Sequence, residues 1–182
     1  MNKLLIVKYF FVGAAVLLLS ACQSAPAVLP PLKTVAQLDL QRFMGDWYVI
    51  ASIPTFIEKG AHNAVESYRL DDDGTIAVTF TFRAGAFDGE RKQYAPRGFV
   101  RDDPSNAIWG MQFIWPIKAD YRITYLAEDY SRTIISREAR DYVWIMARTP
   151  ILPDAEYRRL LKIVGDQGYN IENITKVPQR WN

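Results

Sequence analysis

Cysteine and histidine each occur once in the 182 residues, so a disulfide framework and a zinc site of Cys and His ligands are both excluded within one chain. There is no excess of either charge. Lys and Arg number 22 against 20 Asp and Glu, and removing a leader that carries Lys3 and Lys8 leaves 20 of each sign. A neutral chain has no general electrostatic pull on nucleic acid, and none is expected as a partner. The one long apolar run, Tyr9–Leu19, spans about eleven residues, too few to cross a bilayer as a helix. No internal repeat and no second domain are visible. The aromatic fraction, by contrast, is a rich 13%, and those rings need shelter.

The first residues read as an address. A start bearing Lys3 and Lys8, the apolar run and Leu19-Ser20-Ala21-Cys22 describe a secretory signal over residues 1–21. Leu-Ser-Ala-Cys resembles a bacterial lipobox, whose cysteine is acylated and becomes the new first residue. Cys22 is thus the expected lipidation site. Gln23 rather than an aspartate follows it, which points to the outer membrane. Residues 22–37, with Pro26, Pro30 and Pro31, read as a Pro-rich tether to a domain at 38–182. The protein is expected to be anchored, not spanning.

From Gly45 to Arg148 the apolar pattern has a period of two. In Thr75–Phe82 the even positions are large and apolar and the odd ones small or hydroxylated, behind the turn signal Asp72-Asp73-Gly74. Trp109–Phe113, Tyr121–Tyr125 and Tyr142–Met146 alternate likewise, and Asp46–Ser52, Ala64–Leu70, Gln93–Arg101 and Arg132–Ser136 complete eight predicted strands. Turns are predicted between them, among others at Pro116–Asp120. A helix follows, with Asp154 as its cap, Tyr157, Leu160, Leu161 and Val164 on one narrow face, and Gly165 and Gly168 at its end. A last strand is predicted at Ile171–Val177.

An eight-stranded antiparallel meander has two open edges unless it closes, and closure is how such sheets remove them. The predicted fold is therefore all-β: an eight-stranded up-and-down closed barrel with one C-terminal helix packed outside. The positions that parity turns inward, among them Val78, Phe80, Phe82, Trp109, Met111, Phe113, Tyr125, Tyr142 and Trp144, are apolar and aromatic. Such an interior either fills itself or takes one greasy ligand, and composition leaves both readings open.

Gly45-Asp46-Trp47-Tyr48 opens the first strand, Glu128-Asp129-Tyr130 sits in the turn after the sixth, and Arg148-Thr149-Pro150 ends the eighth. In this order and at these separations they resemble the three signature regions of the lipocalins, over roughly residues 38–178. The lipobox and the run Arg140–Pro150 are similar to those of bacterial outer-membrane lipocalin lipoproteins. The resemblance implies a capped base, an open mouth, and a fatty acid or lysophospholipid as ligand. On it, the candidate ligand-binding residues are Val49, Ala51, Glu66, Tyr68, Val78, Phe80, Phe82, Trp109, Met111, Phe113, Tyr125, Tyr142 and Trp144. Gly45, Trp47, Asp129, Tyr130 and Arg148 are structural, with Arg148 lying on the Trp47 ring.

Glu66 departs from that pattern. It shares parity with Ala64 and Tyr68 and points either into the barrel, to meet a cationic head group or a rim arginine, or through a bulge to solvent. His62 is the one imidazole, in the loop Pro54–Asn63 expected at the mouth. An esterase with Ser52 or Ser67 is conceivable, yet neither serine lies in a nucleophile elbow and no acid–base constellation shows. A haem role is imaginable for His62, but no cofactor or metal is expected. The sequence reading is a non-enzymatic carrier anchored to the outer membrane. The alternatives are a lysophospholipid hydrolase using His62 and a structural lipoprotein with a filled barrel. Pairing of two barrels into a homodimer stays open.

Overall fold

The structure, a computed structural model, describes residues 29–181. A short helix α1 (Leu40–Phe43) leads into β1 (Gly45–Ile53), β2 (Ala61–Leu70), β3 (Thr75–Ala84), β4 (Arg91–Tyr94), β5 (Arg97–Val100), β6 (Ile108–Ile114), β7 (Ile117–Leu126), β8 (Arg132–Ser136) and β9 (Val143–Ala147). Then come α2 (Asp154–Asp166), a 3-10 turn (Ile171–Asn173) and β10 (Thr175–Lys176). Neighbours pair antiparallel in chain order, and β1 pairs with β9 to close the barrel. Both β4 and β5 pair with β3 and together fill one place in the ring, so the closed barrel has eight places, with β10 added beside β1.

Several local readings are corrected. The strand expected at Gln93–Arg101 is split at Ala95-Pro96, because proline has no amide to give the ladder; its carbonyl instead accepts from the Val78 amide. The turn expected at Pro116–Asp120 is only Trp115-Pro116, and β7 starts at Ile117. The final strand shrinks to Thr175–Lys176 behind the 3-10 turn. Asp154 makes no cap: Pro153 holds the N-cap position with no side-chain bond, and Asp154 stands in the first turn, where its charge complements the helix dipole.

Two hydrophobic clusters form. One fills the barrel, with Phe43, Trp47, Tyr68 and Trp109 massed toward the end where β1 begins. The other lies outside, where Leu160 and Val164 of α2 cover Ile50, Ala51, Ile134, Val143 and Ile145. Extra residues in β1 and β7 decide which side chain joins which. The register of β1 against β9 slips between Val49 and Ala51, and that of β7 against β8 between Ile123 and Tyr125. Each slip reverses the parity beyond it. Val49 and Ile123 face inward, whereas Ala51 and Tyr125 turn out toward α2.

The second half of the expected tether is laid on the barrel. The Leu38 amide donates to the Ser105 carbonyl at 2.8 Å and the Val35 amide to Ile123 at 3.0 Å. The Leu32 amide meets the Glu138 carboxylate, and Arg140 donates to the Pro30 carbonyl. Leu32 and Leu38 are buried. The segment thus climbs from the closed end, where β5 turns into β6, to the β8–β9 turn at the other end.

Candidate functional site: a cavity above an aromatic floor

Tryptophan and arginine close the base. The Arg148 guanidinium carbon lies 3.9 Å from the centre of the Trp47 ring, and its nitrogens donate to the carbonyls of Asp46 (2.8 Å), Arg42 (3.0 Å), Phe43 (3.0 Å) and Met44 (2.8 Å). Three of those carbonyls belong to the end of α1, so one side chain caps the helix and covers the ring. Trp47 Nε1 donates to Phe43 O at 2.9 Å. Gly45 has φ +92°, and a Cβ there would also touch Arg148 Nη1 at 3.4 Å. In the β7–β8 turn, Asp129 accepts from the Ser131 amide at 3.1 Å, and the Tyr130 hydroxyl accepts from the Asp39 amide at 3.0 Å. Arg42 lies over the Tyr130 ring at 3.9 Å.

Above this floor lies a cavity of about 240 Å³ that opens between the β1–β2 loop, the β6–β7 turn and the β8–β9 turn. Of the thirteen candidate residues, Glu66, Val78, Phe80, Met111, Phe113, Tyr142 and Trp144 line it. Val49, Tyr68, Phe82 and Trp109 are buried in the barrel cluster without lining the void. Ala51 and Tyr125 face α2, for the reason given above; the Tyr125 hydroxyl accepts from Arg159 at 2.5 Å. Phe56 and Ile57, which the sequence places in the loop at the mouth as residues that meet ligand or membrane or pack as a lid, are also on the wall, and the sequence does not single out Thr55, Glu58, Pro96, Ile114, Ala119, Asp120, Tyr121 or Arg137 there. Tyr121 was legible by parity alone. The loop residues carried no periodic signal.

The slip between His62 and Val65 in β2 lies on the mouth side of Glu66, so Glu66 keeps the parity of Ala64 and Tyr68 and points inward. It is 8% exposed. Its Oε2 lies within hydrogen-bond distance of the Tyr121 hydroxyl, at 3.1 Å, and of the Tyr68 hydroxyl; the two hydroxyls lie within that reach of each other too, so their two protons serve two of these three contacts at a time. Burial, aided by the nearby Glu58 charge and opposed by the Tyr121 bond, pushes the Glu66 carboxyl up to about 8. Glu58, in the β1–β2 loop, receives Trp144 Nε1 at 3.0 Å and the Thr55 amide at 3.0 Å. Burial raises its pKa too, outweighing those bonds. Burial, with the Glu66 charge second, likewise raises Tyr121.

His62 stands apart. Its Nδ1 meets the Gly60 carbonyl at 3.0 Å and its ring abuts Phe87, away from the cavity wall. Ser52 is buried in β1, and Ser67 donates to Asp46 at 2.5 Å, so neither serine joins the imidazole. Among the described residues no cluster of His, Cys, Asp and Glu could hold a metal ion.

Comparison with known proteins agrees with this architecture. The chain is 31% identical to temperature-induced lipocalin-1 of Arabidopsis thaliana, over 81% of this chain and 83% of that protein. It is 28% identical to the outer membrane lipoprotein Blc of Citrobacter freundii, over 91% and 92%. Insecticyanin of the tobacco hornworm Manduca sexta shares the fold with a TM-score of 0.67 at 15% identity, over 87% of this chain and 88% of that one. The lipocalin-like domain model matches residues 38–179, which takes in α1, the whole ring of strands and α2. With its closed eight-place barrel, its arginine-covered tryptophan and this match, the chain belongs to the lipocalin-like family.

Proposed function

We propose that the protein is a membrane-tethered carrier that takes up a fatty acid or lysophospholipid tail in the barrel, for lipid storage, transfer or membrane maintenance. The observation that carries this reading is the cavity itself: a void walled by Val78, Phe80, Met111, Tyr142 and Trp144, open at one end only. The void favours this reading over the structural alternative of a filled barrel. At about 240 Å³ the void falls short of the range of roughly 300–1,000 Å³ usual for enclosed ligands, so a long chain would leave its outer part and its head group at the mouth. Arg137 and Asp120 stand there. Each buried methylene contributes about 0.8 kcal/mol relative to water, much less relative to a membrane.

Two features of the mouth support tethering there. Phe56 (88% exposed), Trp115 (82%), Ile114 (72%) and Ile117 (67%) ring the opening. The N-terminal segment also reaches the mouth end, at Pro30 and Leu32. Cys22, the proposed acylation site, lies outside the described residues. Six residues lie between it and Leu29, seven steps along the chain with a reach of at most about 25 Å when extended. An anchor at Cys22 would therefore hold the mouth toward the bilayer, and relatives that carry the name outer membrane lipoprotein suggest the outer membrane. The hydrolase alternative gains nothing from the placement of His62.

The test is lipid extraction and mass spectrometry of protein purified from native membrane, with titration of a lipid-free Cys22→Ser form by octanoate and lysophospholipid. Bound lipid and saturable quenching of Trp144 are expected. Absence of lipid from the native protein, together with no titration, would overturn the proposal.

A further inference from the structure

We infer that the inner end of the cavity is a binding subsite for the nitrogen of an apolar amine, with Glu66 as its acceptor, Tyr68 and Tyr121 as positioning groups, and the apolar wall as the seat of the alkyl part. This rests on the carrier reading above and adds a ligand class to it. A fatty acid enters tail first and leaves its carboxylate at the rim, whereas an amine of this kind enters nitrogen first.

A carboxyl group on the inward face of a strand is costly to bury, and a barrel wall has no structural need of one. Glu66 is more than nine-tenths buried, and no Lys or Arg among the described residues pairs with it. Both tyrosine hydroxyls face Oε2, and Oε1 receives no hydrogen bond from the described residues while Glu66 lines the void. Glu58 borders the same void with both oxygens already engaged, by Thr55 and by Trp144. It adds negative charge without competing for the ligand.

Aromatic faces surround the acceptor. Phe80, Tyr121 and Trp144 line the cavity, with Tyr121 and Trp144 stacked at 6.1 Å. Once ionised, Glu66 holds a desolvated ammonium by charge while the ring faces add their quadrupoles, and in that state it repels a carboxylate. The nearest competing cation on the wall is Arg137 at the rim, bonded to Asp141 at 3.1 Å; Asp120 there pairs with Arg122 at 2.9 Å. The volume suits a short alkyl or arylalkyl chain rather than a full-length lipid.

The raised pKa of Glu66 gives the subsite a proton signature. Near neutral pH an arriving ammonium meets a carboxylic acid, and forming the ion pair sends the Glu66 proton to solvent: RNH3+ plus COOH gives RNH3+ paired with COO−, plus H+. Octylammonium, octanoate and octanol are the probes, each titrated calorimetrically against the leaderless Cys22→Ser chain in buffers of different ionisation enthalpy. Octylammonium is expected to bind more tightly than the other two, to release up to one proton at pH 7, and to gain affinity by roughly tenfold per pH unit from about pH 6 to 8. Glu66→Gln keeps an oxygen for the two tyrosines to donate to; it should weaken octylammonium by roughly tenfold or more and leave octanol within about twofold. The proton count needs no variant and so survives a Glu66→Gln protein that fails to fold. Equal binding of the three probes with no proton release would overturn the amine subsite and leave the carrier reading standing. Binding of none of them would overturn both.

Discussion

Arg148 caps α1 and covers Trp47 with the same guanidinium, joining the first strand of the barrel to the last. Trp47→Ala should cost about 3–5 kcal/mol in urea unfolding, because the ring is fully buried. Arg148→Ala should cost about 1.5–3 kcal/mol through its lost charged hydrogen bonds. Neither side chain touches the cavity, so octanoate titration of whatever folds should be unchanged.

Stability should fall as pH rises through neutrality. Glu66 titrates near the ordinary carboxylate value when unfolded and near 8 when folded, so the folded state holds the extra proton between those values. Its contribution is complete below about pH 4.5 and is lost as pH climbs toward 8, an effect on the order of a few kcal/mol. Glu58 shifts in the same direction and adds to the slope. Glu66→Gln should flatten the curve of unfolding free energy against pH. An equally steep curve in that variant would place the proton elsewhere.

The two sides of the barrel wall should respond differently to added bulk. Ala51→Leu, pressed against α2, should destabilise by about 1–3 kcal/mol and leave ligand affinity alone. Val78→Phe, which enters the void, should abolish octanoate binding at little cost in urea stability. If Ala51→Leu blocked binding instead, the bulge in β1 would be misplaced.

The exposed rim should matter on membranes. Replacing Phe56 and Trp115 by serine in the soluble Cys22→Ser form should weaken partitioning onto lipid vesicles by roughly tenfold, since burial of even part of two such rings is worth more than about 1.4 kcal/mol. Thermal unfolding should not change, because both side chains already face water. Unaltered flotation with vesicles would show that the mouth does not meet the bilayer.

The barrel was legible because side chains on a strand alternate and water penalises the wrong alternation. Val78, Phe80 and Phe82 announce both β3 and its buried face. Trp47 and Arg148 were legible as a pair because their spacing in the chain matches a known pattern. Ala51 and Tyr125 were misread for a single reason. One extra residue in a strand reverses every parity after it, and a bulge forms where the partner strand and α2 permit it, which no local window records.

Residue order by itself determined the strand faces away from the bulges, through short-range alternation and turn chemistry, the sites of the signature residues, and the expectation of closure, since an open meander leaves two bare edges. Only the tertiary structure decided that Tyr121 bonds Glu66 while Glu58 borders the same void, that Glu66 faces in rather than out, and that the segment before Leu38 rises to the mouth. Those outcomes depend on contacts between residues far apart in the chain, where packing and loop closure, not local propensity, set the geometry.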